Sequence, residues 1–145
     1  MRVAGCPLCE GPGGTLVFQG RKFRVIRVDE AGFPGFYRLV WTDHVAEFSQ
    51  LDAQDRQLCM DAVAQVELRI RAHLNPVKVN LAALGNMVPH LHWHIVARFD
   101  WDSHFPAPVW AGAVRPAPAE SLDDVRRKLP ALDADLAHRL AAAAC

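Results

Sequence analysis

Residues 89–99, PHLHWHIVARF, alternate in side-chain character with a period of two. His90, His92, His94, Val96 and Arg98 form one set. Leu91, Trp93, Ile95, Ala97 and Phe99 form the other, and all of its members are apolar. A helix would scatter the histidines around its circumference, whereas a strand puts them on one face and an unbroken apolar row on the other. The spacing predicts a half-buried strand over residues 90–99. The rest of the chain must then supply a sheet for this strand to join and a layer that covers its apolar back.

The flanking sequence offers both. TLVFQGRKFRVIRV reads as two short strands, 16–18 and 22–28, around a turn at Gln19-Gly20. DEAGFPG is a loop, and the aromatic and β-branched run FYRLVW is a third strand. The period then changes. Ser49 and Asp52 match a capping box, and Leu58, Ala62, Val66 and Ile70 recur every fourth residue, which is one face of a long helix. Asn75-Pro76 stops it near Leu74. VKVNL is a strand and LGNMVP a turn leading into the histidine segment. Beyond it, HFPAPVWAGAVRPAPA carries four prolines and reads as irregular. Ser121 and Asp124 suggest a second capping box for a helix reaching Ala144, with Pro130 breaking or kinking it.

The order β-β-β-α-β-β-α predicts an α+β fold: an antiparallel sheet of about five strands with one long helix and a C-terminal helical tail, the helices on one side. A chain of 145 residues suits one domain. Residues 1–112, including the N-terminal CxxC, are expected to form the main unit. Residues 113–145 form the tail, either within the same compact body or appended to it.

Sixteen basic and sixteen acidic residues cancel, which argues against backbone-driven nucleic-acid binding. No segment has the length and apolarity of a membrane span, and the N-terminus lacks the apolar core of a signal peptide. The four cysteines are then expected to be reduced and the protein cytoplasmic.

Three readings of the ladder remain open on the residues alone. It is a solvent face that happens to be rich in histidine, a metal site, or a site for phosphoryl chemistry. For a metal, His90 and His94 stand about 13 Å apart along an extended strand, too far to share one ion without a bend. For phosphoryl chemistry, imidazole is a good nucleophile at neutral pH, and neighbouring imidazoles can orient it and hold phosphoryl oxygens.

HLHWHIV, residues 90–96, resembles the signature of the histidine-triad (HIT) family, with a weaker likeness over residues 25–99. The resemblance implies a homodimeric nucleotide hydrolase. His92 would attack the α-phosphorus and form a nucleotidyl-histidine, His94 would hydrogen-bond the phosphoryl oxygens, and His90 would sit behind and orient them. Histidine rather than glutamine at position 94 resembles the hydrolase branches. Dinucleoside polyphosphates and nucleoside phosphoramidates are both implied as substrates. Asp29 would accept from ribose hydroxyls, and Asn80 and Asn86 would contact the phosphates or leaving group. No catalytic metal or cofactor is implied. Some relatives hold structural zinc with an N-terminal CxxC and two histidines, for which Cys6, Cys9, His44 and His90 are the candidates. The competing class is a nucleotide- or zinc-binding regulator with little turnover. Cys59 reads as core, His73 and His138 as helix surface, and Trp101, Trp110 and His104 as neighbours of the site or of the tail.

Overall fold

The computed structural model describes residues 1–143. The expected helical position of Ala144 and the last of the four cysteines, Cys145, lie outside the described residues. The elements are α1 (Pro7–Glu10), β1 (Thr15–Gln19), β2 (Phe23–Arg27), β3 (Phe36–Trp41), α2 (Ala53–Leu74), β4 (Lys78–Ala82), β5 (His92–Arg98) and α3 (Ala119–Ala143). The five strands form one sheet in the order β1-β2-β3-β5-β4, every pair antiparallel. The α+β architecture read from the sequence is the one observed, with both long helices on one face.

The alternation in β5 dictates this layering. Ile95 and Ala97 are buried in the main core with Val25, Tyr37, Leu39 and Trp41 from β2 and β3, and Trp93 packs against it. The stripe Cys59, Ala62, Val63, Val66, Ile70 and Leu74 of α2 covers that face. Asp52 starts α2 by accepting from Asp55 N at 2.8 Å. Asn75, at φ 48° in the left-handed region, ends it before Pro76.

The C-terminal helix is not broken at Pro130. A proline inside a helix removes one hydrogen bond and costs roughly 3 kcal/mol. Here Pro130 lies on the exposed side, while Val125, Leu129, Leu132, Leu136 and Leu140 bury the opposite stripe in the core shared with α2. Each fully buried leucine contributes about 1.5–3 kcal/mol, so the stripe outweighs the missing bond. Polar contacts fix the position: Tyr37 Oη donates to Asp133 Oδ1 at 2.6 Å and Arg27 Nε to Asp133 Oδ2 at 3.0 Å. His73, expected on the surface, is half-buried and meets Asp135 of α3 at 2.8 Å.

Other boundaries moved for local reasons. Ser49 lies inside a short 3-10 turn, Phe48–Gln50, whose capping box is Glu47 with Gln50. Ser121 sits within the first turn of α3, which begins two residues earlier. The strand expected from residue 90 starts at His92 instead. Leu91 N donates to Val45 O at 2.7 Å and Leu91 O accepts from Trp41 N at 3.0 Å, so residues 90 and 91 cross toward the loop after β3.

Replacing Leu136 with Ala removes a wholly buried side chain at the α2–α3 seam. We expect a loss of about 2–5 kcal/mol in a single urea transition. A separate early transition for α3, with the remaining midpoint unchanged, would show the tail to be an appended unit.

Candidate active site

The face of the sheet away from the helices carries Arg24 and Ile26 of β2, Phe36, Arg38 and Val40 of β3, and His92, His94, Val96 and Arg98 of β5. The pairing Val40↔His92, Arg38↔His94 and Phe36↔Val96 aligns them. Three irregular segments partly cover this face: the turn at α1, the loop 83–89, and the loop after β5. Between them lies a cleft of about 630 Å³ lined by Arg38, Asn86, Met87, His92, His94 and Trp110, among others.

His92 and His94 share this cleft, their ring centroids 4.9 Å apart. Backbone contacts decide the state of His92. Its Nδ1 lies 2.6 Å from His90 O, and a carbonyl can only accept, so Nδ1 carries the proton. The unshared pair is therefore on Nε2. Arg38 Nε donates to His94 Nδ1 at 3.3 Å, which places the His94 proton on Nε2 as a donor. Burial, chiefly, holds both imidazoles below their ordinary pKa. His94 falls to about 4, with the His92 and Arg38 charges adding to the effect. One ring is thus a neutral nucleophile and the other a neutral hydrogen-bond donor. The Trp110 ring stands edge-on to His94 at 5.0 Å, and Trp110 is 52% exposed.

His90 does not join them. It is fully buried, its Nε2 lies 2.7 Å from Trp41 O, and its Nδ1 lies 3.5 Å from both Cys6 Sγ and Cys9 Sγ. His44 Nδ1 is 3.5 Å from Cys9 Sγ. The four ligand atoms of Cys6, Cys9, His44 and His90 all lie within 4.8 Å of one another, a group that could hold a metal ion. The donor chemistry fits. Trp41 O fixes the His90 proton on Nε2 and leaves a lone pair at Nδ1, the orienting arrangement found behind metal-bound histidines. Cys6 caps the single turn α1 and Cys9 lies within it. Arg24 holds this knuckle from β2: its guanidinium donates to Leu8 O at 2.8 Å and to Gly11 O and Pro12 O at 3.0 Å.

A family model for the HIT domain matches residues 13–101. The chain belongs to the HIT family. HIT-domain proteins in general bind nucleotides and act as nucleotide hydrolases or transferases. Among solved structures, the chain is similar to a histidine triad protein from Bradyrhizobium japonicum, with 28% identity and a TM-score of 0.67. That match covers 83% of this chain and 90% of the other. A histidine triad protein from Marinobacter aquaeolei VT8 is also 28% identical at a TM-score of 0.68, covering 87% of this chain and 93% of that one. No curated protein matches the chain. Among the described residues, no helix is long and apolar enough to cross a membrane.

Within this HIT domain the other expected site residues separate. Asn86 lines the cleft. Asn80 does not, and its Oδ1 accepts from Arg98 Nη1 at 2.8 Å. Arg98 forms a buried ion pair with Asp102, 2.9 Å from Nε to Oδ2, and also donates to Ala107 O. Asp102 Oδ1 in turn accepts from His104 N and Phe105 N, shaping the loop that delivers Trp110. His104 packs on Phe33 and does not line the cleft. Trp101 stacks on Phe99 against the core on the helical side. Asp29 is exposed in the loop after β2. Its neighbour Val28 packs in the same cluster as Val109, next to Trp110. Arg38 and Arg24 were not anticipated. Each stands inside a strand as an isolated charge, and only strand pairing reveals which face it shares.

The depressed His94 pKa has a stability consequence. The unfolded chain takes up a proton near pH 6.5, whereas the folded chain resists it until about pH 4. His94 therefore costs no stability above pH 6.5, and stability falls as pH drops from there toward 4, by about 3 kcal/mol in full. His92 and Arg38 are the titratable or charged groups facing it. Urea unfolding of wild type and His94→Asn at pH 7 and pH 4.5 checks this. The variant should lose about 2 kcal/mol less over that interval.

Proposed function

We propose that this HIT protein is a nucleoside-phosphate hydrolase acting through a nucleotidyl-His92 intermediate. The observation that carries the reading is the hydrogen bond from His92 Nδ1 to His90 O, which leaves Nε2 of a cleft-lining ring neutral and nucleophilic. In the first step Nε2 bonds to the α-phosphorus and the bond to the leaving group breaks, the electron pair departing with it. His94 Nε2–H donates to a phosphoryl oxygen, whose charge grows in the transition state. Water then attacks phosphorus and gives up a proton to solvent, the P–N bond breaks with its electron pair returning to Nε2, and a nucleoside monophosphate leaves with His92 restored. The nucleoside would lie toward Trp110, with Asp29 beyond it for the ribose hydroxyls, while Asn86 approaches the leaving group.

The Cys6, Cys9, His44 and His90 group is proposed as a structural zinc site. A tetrahedral ion with Zn–S near 2.3 Å and Zn–N near 2.0–2.1 Å separates sulfur from nitrogen by about 3.5 Å. Three of the four sulfur–nitrogen pairs are 3.5 Å apart. Bound there, zinc would brace the N-terminal knuckle and take no part in the reaction. The protein is further proposed to be a cytoplasmic homodimer. The open edge strand β4, with Val77, Leu81 and Leu84 exposed along and beside it, is the surface for pairing.

Two measurements test these readings. Intact mass of the protein mixed with diadenosine tetraphosphate or adenosine phosphoramidate should show a transient adenylyl adduct. His92→Asn should lack the adduct and turn over at least ~10³-fold more slowly. Near-normal hydrolysis by that variant, or AMP binding by wild type with neither adduct nor turnover, would favour the regulator instead. The purified protein should also hold one zinc per chain by elemental analysis. Cys6→Ser with Cys9→Ser should lose the zinc and lower the melting temperature.

A further inference from the structure

Arg38 stands on β3 directly across from His94 and lines the cleft. One of its N–H groups goes to His94 Nδ1, and its guanidinium carbon sits 5.6 Å from the Phe36 ring centroid. Its two terminal amino groups make no hydrogen bond among the described residues, and no carboxylate lies within ion-pair distance of it. The two buried arginines differ. Arg24 is tied to three carbonyls, and Arg98 to Asp102, Asn80 and Ala107. The carboxylate that acts on Arg38, Glu30, does so from beyond that distance, and a partly buried charge held without direct pairing is costly unless something neutralises it. No Asp, Glu or Lys lines the cleft, so Arg38 gives its walls a fixed positive charge with no acid among them to offset it.

We infer that Arg38 is an anion-binding residue that holds a phosphate beyond the one attacked, and that the site therefore takes nucleoside polyphosphates in preference to phosphoramidates. The inference rests on His92 being the nucleophile. Position settles which phosphate. Val40, which is apolar, stands opposite His92, while Arg38 stands one level further along, about 7 Å by strand spacing. His94 is interposed: its ring meets His92 on one side and accepts from Arg38 on the other. The phosphorus under attack belongs to His92 and His94. The free fork of Arg38 meets the next phosphate. When the bond between the α-phosphorus and its bridging oxygen breaks, the electron pair stays on that oxygen, and the leaving phosphate gains charge. A guanidinium stabilises this charge bidentately, which a leaving amine could not exploit.

The test compares wild type, Arg38→Gln and Arg38→Lys. kcat/KM is measured on diadenosine tetraphosphate and on adenosine phosphoramidate, and inorganic pyrophosphate binding is followed by tryptophan fluorescence. Arg38→Gln should lose ~100-fold on the tetraphosphate but only ~5-fold on the phosphoramidate, the smaller loss reflecting the contact with His94. Arg38→Lys, which keeps the charge, should recover part of the first loss. Pyrophosphate binding should weaken at least ~10-fold in Arg38→Gln. Equal losses on both substrates, or unchanged pyrophosphate binding, would overturn the inference. If wild type forms no adduct with either substrate, the His92 mechanism fails. The pyrophosphate titration still decides whether Arg38 holds an anion.

Discussion

The hydrogen bond between His92 Nδ1 and His90 O is the point through which the two halves of the site meet. His90 serves two neighbours with different parts of itself. Its carbonyl fixes the tautomer of His92 in the cleft, while its ring, held by Trp41 O, turns a lone pair toward Cys6 and Cys9. The ring can make that turn because the chain leaves the sheet one residue before β5 begins. A regular strand through residue 90 would put three rings on one face and leave the thiols with a single imidazole. Breaking the strand at this place converts a row of three histidines into a pair plus a ligand.

The surroundings are built to keep that break in place. Arg24 gathers the carbonyls of the knuckle, so the thiols approach His90 from a turn too short to be stable alone. At the other end of β5, the buried Arg98–Asp102 pair organises the loop that brings Trp110 over His94. A buried ion pair contributes little net stability because desolvation offsets its attraction. Its value here is positional: beyond bonding each other, Arg98 reaches Asn80 and Ala107 O while both Asp102 oxygens accept from backbone N–H groups, and the loop is held at several points at once.

The strand alternation was legible because a period of two leaves no other way to bury Leu91, Trp93, Ile95 and Ala97 together. It specified the sheet, the helical cover and the shared face of His92 and His94. The same alternation misplaced His90, because sequence spacing does not show that Trp41 O competes for its ring. It could not show Arg38 either. In FYRLVW an arginine among apolar residues reads as an edge or a solvated point, and its meaning depends on pairing with residues more than fifty positions away. Nor could spacing show that the Asn80 amide, beside a histidine strand, accepts from Arg98 through its Oδ1. Pro130 misled because local propensity was weighed without the leucine stripe on the opposite side of α3.

Charge then decides what this cleft can do. Two neutral imidazoles beside one guanidinium are what the proposed reaction needs: a charge that would draw an anion and a ring that would stay unprotonated to attack it. The two effects share a cause. The Arg38 charge helps keep His94 and His92 neutral, as their burial does, and the same charge is what an incoming phosphate would meet. An acid in place of Arg38 would reverse both at once. It would raise the imidazole pKa values toward protonation and repel the substrate. The cation opposite His94 is thus consistent with the nucleophile proposed at His92, and the strand pairing that aligns them makes the two a single arrangement.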